Sequence, residues 1–84
     1  MSTMVEAHRE RIKEIVSTVL EIDPQVLTDA SRFKEDHGAD SLRAIEILAL
    51  LEKAFGVDIA QAELSRMVNL DGVYEVVAEA MRAA

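Results

Sequence analysis

The 84-residue sequence has no cysteine and no tryptophan, and only one proline, three glycines, one tyrosine and two phenylalanines. Without cysteine the chain itself can supply no disulfide, thiolate metal ligand or cysteine nucleophile. With so few aromatic rings, the core must be built from aliphatic side chains, and half of the residues are hydrophobic. Repeats, low-complexity stretches and Gly/Pro-rich linkers are also missing, so residues 1–84 are expected to form a single domain. A chain this short buries only about 60–65% of its unfolded surface, which limits the core to one modest cluster.

No apolar run approaches the roughly 20 residues of a membrane span. The amino-terminal "MSTMVEAHRERIKEI" lacks the apolar centre of a secretory signal, so a cytoplasmic, membrane-free protein is expected. Basic residues are scarce, with 9 Lys and Arg against 16 Asp and Glu and a formal net charge of −7. That balance argues against nucleic acid and anionic lipid as partners, since both require a basic face. It leaves basic protein surfaces as partners steered by opposite potential. The same charge also serves simply to keep a small monomer soluble.

What the chain does have is helical periodicity. A first helix is expected from about Met4 to Leu20, with Thr3 and Glu6 spaced as a capping box. Its apolar stripe is Val5, Ile12, Ile15, Val16, Val19 and Leu20. Pro24 holds Asp23 away from helical geometry, so this helix should stop near Ile22. A long connection, Asp23 to Ala39, follows. Pro24, Val26, Leu27, Ala30 and Phe33 are candidates to tie it down, with a short turn at "DPQVL" capped by Asp23. A second helix is expected from Ser41 to Phe55, stopped by Gly56. A short third follows over Ala60 to Met67, opened by Asp58 or Ile59. A fourth begins near Leu70 with Asn69 as cap, lined by Leu70, Val73, Val77, Ala80 and Met81. The expected fold is all-α: a four-helix bundle with a short third helix and a long ordered loop between the first two.

The helix over Ser41–Phe55 is unusually apolar. At ~100° per residue, Ala44, Ile47, Leu48, Leu51 and Phe55 fill the middle of one arc, and Leu42, Ile45 and Ala49 extend it. The apolar arc is about twice the ~100° stripe of an ordinary surface helix. Arg43, Glu46, Leu50 and Lys53 occupy the remaining sector. Either this helix lies at the centre of the bundle, or part of its apolar surface awaits a partner. A split assignment sends Ile47, Leu48, Leu51 and Phe55 to the core and leaves Leu42, Ile45 and Ala49 as an exposed ridge beside Ser41.

Self-contained chemistry is poorly supported. His37 lies four residues before Ser41, but a catalytic pair would also need a cleft and an oxyanion site. His37 therefore reads as a turn residue and His8 as surface. Glu35, Asp36 and Asp40 lack the alternating acids, central glycine and terminal glutamate of a calcium loop. The pair "DS" at 40–41 offers two helix caps where one is required. With Asp40 as the cap, Ser41 sits in the first turn with its hydroxyl directed to solvent, where a helix N-terminus favours an attached phosphate. The Asp40 charge opposes that preference.

Over its full length the chain resembles an acyl carrier protein. The residues that carry the likeness are "DPQVL", "SRF", "EDHGADSL" running into a helix that ends "LLEKAFGVDI", and "NLDGVYEVV". The resemblance implies that Ser41 carries 4′-phosphopantetheine, with Asp40 supporting the motif, and that a separate phosphopantetheinyl transferase attaches it from coenzyme A. The arm would supply the reactive thiol that the chain lacks, holding acyl intermediates as thioesters. The carrier itself would not be an enzyme; it would present its cargo to ketosynthase, acyltransferase and other acyl-processing enzymes. Asp40, Leu42, Arg43, Ile45, Glu46, Ala49 and Glu52 are the partner-facing positions on this reading. Small residues Ala44, Ala49, Ala60 and Ala62, with Met67, either leave room for cargo near the third helix or simply pack closely there.

Many fatty-acid carriers are strongly acidic along this helix. Here Arg43 directly follows "DSL", Lys53 lies further along, and His37 stands where a leucine is frequent. These departures point to a discrete carrier of bacterial polyketide biosynthesis; Arg43 and Lys53 read equally well as neutral surface variation. The alternatives are a housekeeping fatty-acid carrier, a peptidyl or aminoacyl carrier, and a helical interaction module without a cofactor.

Overall fold

Helix α1, Thr3–Leu20, forms one side of the molecule. The structure, a computed structural model, describes residues 3–83, with side chains from residue 7 onward. The proposed Thr3–Glu6 capping box and the stripe residue Val5 lie outside the described side chains. From α1, Ile12, Ile15, Val16 and Val19 are buried in the core. Ser17 is buried with them, its hydroxyl donating to the Glu14 carbonyl at 3.1 Å, so no polar atom is stranded.

Helix α1 ends two residues earlier than Pro24 alone requires. The Ile22 amide donates to the Ser17 carbonyl at 3.0 Å and the Glu21 amide to Thr18 at 3.2 Å. Glu21 has φ 58. These are the two bonds of a Schellman stop, with glutamate in the left-handed position usually held by glycine.

The long connection is ordered by local bonds. The Asp23 carboxylate accepts from the Gln25 amide at 2.8 Å, and the Val26 and Leu27 amides close the turn on Asp23 and Pro24 carbonyls. Of the five expected anchors, Leu27 and Phe33 are buried, whereas Pro24, Val26 and Ala30 are exposed. The connection also contains a helix that the periodicity does not reveal: α2, Phe33–His37. It is one turn long and buries only Phe33, too little to create a periodic signal.

Helix α3, Ser41–Phe55, buries Ile47, Leu48 and Leu51. Gly56, φ 63, stops it as expected. The third expected helix is a 3-10 helix, Gln61–Arg66. Its apolar contacts, Leu64 and Met67, are spaced i, i+3, which suits three residues per turn. Neither Asp58 nor Ile59 opens it; Ala60 does, without a side-chain cap. The turn before it is held by Glu52, whose carboxylate accepts from the Ile59 amide at 2.9 Å.

Helix α4, Leu70–Ala83, is capped by Asn69, whose Oδ1 accepts from the Gly72 amide at 2.9 Å. Leu70, Val73, Val76 and Val77 face the core. A Cβ on Gly72 would fall 1.9 Å from the Arg66 carbonyl oxygen, so only glycine lets the 3-10 helix approach α4 this closely. Arg66 then spans the same junction, donating to Glu79 at 2.8 and 2.6 Å and to Glu63 at 2.9 Å. The hydrogen bond from Arg66 holds the Glu79 carboxyl below its ordinary range.

Helix α1 packs on α3 and α4, and the 3-10 helix bridges α3 and α4. Tyr74 of α4 ties down the connection. Its hydroxyl donates to Asp29 at 3.3 Å, and the Asp71 amide donates to the Asp29 carbonyl at 3.2 Å. Partial burial, then the nearby Asp29 carboxylate, push the Tyr74 phenol from 10.0 up to about 12. The folded state therefore keeps a proton that the unfolded state loses, and the stability Tyr74 contributes is full below pH 10 and is lost as pH rises through about 12. Tyr74 is the only tyrosine and there is no tryptophan, so the ultraviolet tyrosinate band reports this group alone. Titration of the folded chain should show a midpoint near 12, against 10.0 for the chain in denaturant; a folded midpoint at the ordinary value would disprove the Tyr74–Asp29 tie.

Candidate functional site

The turn Gly38-Ala39-Asp40 delivers the chain from α2 into α3. Gly38 adopts φ 68 and its amide donates to the Lys34 carbonyl, ending α2. A side chain would have open space there, but the left-handed backbone favours glycine. Asp40 then adopts an extended conformation, φ −102 and ψ −178, and its Oδ1 accepts from the Arg43 amide at 3.0 Å. Of the two candidate caps, Asp40 does the capping. Ser41 is the first residue of α3 and is exposed. Among the described residues, its hydroxyl has no hydrogen-bonding partner.

Ser41 stands at the rim of a groove of about 340 Å³ between α2, α3 and the 3-10 helix. Ala44, Ile47, Leu64 and Met67 supply apolar walls; Lys34, Glu35 and Ser65 supply polar ones. This corrects the expected cargo space. Ala44 and Met67 line the groove, but Ala49 and Ala62 are exposed without lining it, and Ala60 lines a separate depression beside Glu79. Lys34, Leu64, Ser65 and Val68 carry no signal in the sequence, and Glu35 stands out there only as a charged turn residue, because the groove joins segments distant along the chain. The only local hint is the apolar pair Leu64 and Met67, spaced i, i+3.

On the outer face of α3, Leu42 is 65% exposed and Ile45 43%, and Ala49 and Glu46 are exposed as well. The apolar excess is thus divided as the split assignment expected, with Ile47, Leu48 and Leu51 inward and Phe55 half-buried. Leu50, 42% exposed, adds an apolar residue to the polar sector.

Besides Asp40, which caps α3, two more of the expected partner-facing residues are engaged within the fold. Arg43 donates from Nη1 to the Val19 carbonyl at 2.6 Å and from Nη2 to Glu21 Oε2 at 2.9 Å. Glu52 holds the Ile59 amide. The helical wheel could not show this, because both partners lie outside the helix. His37 is half-buried with Nε2 3.0 Å from Ser31 Oγ, and His8 packs edge-on against Phe55 at 5.4 Å. Among the described residues no cluster of three or more His, Asp or Glu side chains is arranged to hold a metal ion.

The described residues form an all-helical fold that presents an exposed serine at a capped helix start, beside an apolar groove and ridge. Comparison with known proteins shows the family. The profile of the family described as "Phosphopantetheine attachment site" matches residues 10–77, and the chain belongs to that family. It is 65% identical over 74 residues to polyketide-8 synthase acyl carrier protein 1 of Streptomyces avermitilis, covering 88% of each chain. A chain in the solved structure of the ishigamide ketosynthase/chain length factor matches with TM-score 0.77 and 32% identity, over 89% of this chain and 94% of that one. The holo acyl carrier protein of Geobacter metallireducens shares the fold, with TM-score 0.73 and 21% identity over 89% and 86% of the two chains. The family carries 4′-phosphopantetheine as a covalent group, and this chain does so as a member. None of its described helices is long and apolar enough to cross a membrane.

The cap can be tested directly. Asp40→Ala should cost about 1 kcal/mol of unfolding free energy in urea, and Asp40→Asn should recover most of it by accepting the same amide. Equal stability of wild type and Asp40→Ala would show that the carboxylate does not cap α3.

Proposed function

We propose that Ser41 is the attachment residue and that the chain is a discrete acyl carrier for bacterial polyketide biosynthesis. The observation that carries this reading is the division of labour at the start of α3. Asp40 satisfies the helix, which leaves the Ser41 hydroxyl exposed at the helix N-terminus next to an apolar groove. The similarity to the Streptomyces avermitilis polyketide carrier supports the choice of pathway over fatty-acid synthesis. We read residues 1–84 as one carrier domain, a four-helix carrier bundle in which the 3-10 helix takes the place of the third helix.

The serine fits the group it would hold. An exposed hydroxyl in the first turn places a phosphodiester against unpaired amides and the positive end of the helix dipole. The Asp40 carboxylate opposes that charge but is occupied by the Arg43 amide. On attachment, Ser41 Oγ bonds to the phosphorus of coenzyme A that bears the pantetheine. The pyrophosphate bond breaks, adenosine bisphosphate leaves, and the hydroxyl proton passes to a base on a separate phosphopantetheinyl transferase. The bound arm supplies the terminal thiol on which acyl groups ride as thioesters.

The chain's own residues do the rest. Leu42, Ile45 and Ala49 offer an apolar ridge, and Asp40 and Glu46 flank it with negative charge that steers basic rims. Ketosynthase, acyltransferase and further acyl-processing enzymes are the partners proposed for this face. Ala44, Ile47, Leu64 and Met67 shelter the apolar part of a cargo close to Ser41. The carrier works as a cytoplasmic monomer with no catalytic activity of its own.

Incubation with coenzyme A and a broad-range transferase should add one phosphopantetheine to the wild-type chain by intact mass, and none to Ser41→Ala. An unmodified wild-type chain ends the carrier reading; a modified Ser41→Ala moves the attachment site elsewhere. Loading assays that transfer only amino acids to the arm would favour a peptidyl carrier. For the docking face, Glu46→Lys should weaken binding to a cognate ketosynthase by about 0.2–1 kcal/mol without changing thermal stability. Unchanged binding would exclude Glu46 from the interface.

A further inference from the structure

Arg43 is held at both ends. Its amide donates to the Asp40 carboxylate at 3.0 Å, and its guanidinium reaches back to the end of α1. That end has a specific deficit. The Schellman bonds occupy the Ser17 and Thr18 carbonyls, which leaves the Val19 and Leu20 carbonyls beyond the last helical donors. Arg43 Nη1 donates to Val19 at 2.6 Å, where the helix dipole also favours a cation. Nη2 takes the carboxylate of Glu21 at 2.9 Å, and Glu21 is the residue forced to φ 58. One planar fork thus spans a main-chain carbonyl and a side-chain carboxylate, which a lysine ammonium cannot match. Ser41 lies between Asp40 and Arg43, so the first turn of α3 is fastened on both sides of it.

We propose that Arg43 is a positioning residue for Ser41: it fixes the serine against the end of α1 for reaction with the transferase, and makes no direct contact with the enzyme. The proposal rests on the reading of Ser41 as the attachment residue. The guanidinium charge is paired within the fold by Glu21.

The test is a double-mutant cycle on phosphopantetheine transfer to the full chain, using coenzyme A and a broad-range transferase. The variants are Arg43→Ala, Glu21→Ala, the double variant and Arg43→Lys. Thermal unfolding of each sets an assay temperature at which all are folded. Arg43→Ala and Glu21→Ala should each lower kcat roughly three- to tenfold with little change in KM, because a loosened serine spends less time in reactive geometry. The double variant should lose less than the product of the two, and Arg43→Lys should fall between wild type and Arg43→Ala. Losses that multiply, an Arg43→Ala effect confined to KM, or full activity of Arg43→Ala would each overturn the proposal. A wild-type chain that takes no phosphopantetheine removes the attachment reading along with it. A wild-type chain that loads while the losses multiply removes only the role of Arg43.

Discussion

The hydrogen bond from the Arg43 amide to the Asp40 carboxylate is the interaction on which the functional end of this molecule depends. A helix start has four amides without intrahelical partners, and a serine is among the residues best able to satisfy one. Were Ser41 to cap α3, its hydroxyl would be consumed by structure. With Asp40 in that role, the serine moves one position into the helix and its oxygen stays available. Gly38 contributes by turning the chain sharply out of α2, so that Asp40 can enter in an extended conformation.

The bundle behind that turn is small and aliphatic, and polar clamps do much of the work of joining its elements. Tyr74 and Asp29 fasten the long connection, Arg66 and Glu79 the 3-10 helix, Glu52 the turn before it, and Arg43 the end of α1. The first three sit where a short segment meets a long helix and cannot bury enough apolar surface to hold itself, whereas Arg43 joins two long helices, α3 and α1. The groove beside Ser41 is a product of the same arrangement, since the 3-10 helix is positioned by Gly72 and Arg66 rather than packed flat against α3.

The long helices were legible because their burial repeats at the helical period. Ile12, Val16 and Val19, then Ile47, Leu48 and Leu51, then Leu70, Val73 and Val77 are all buried where the pattern puts them. Caps were legible at Asp40 and Asn69 because the chemistry of a cap is local. Helix α2 was not, having one buried residue and no period. The 3-10 geometry was missed because an i, i+3 pair fits either helix type. The resemblance gives Arg43 and Glu52 to the partner face by their position in one helix alone. Their actual partners are a carbonyl 24 residues back and an amide seven residues on, and no spacing rule links those. The groove was half legible for the same reason: Ala44 and Met67 suggested small and adaptable packing, but the walls between them depend on tertiary placement.

Glu21 sets a constraint on any redesign of this chain. Its left-handed backbone is where stability-guided engineering would place glycine first, since relieving a non-glycine residue there gains about 1 kcal/mol. Glycine would also delete the carboxylate that Arg43 grips, trading a calmer backbone for a looser helix start twenty residues away in sequence. A consensus sequence averaged over relatives with a different residue after "DSL" would import that change without its counterpart. Glu21 and Arg43 are bonded to each other across two helices, so sequence transplants or chimeras should be cut so that both come from the same parent.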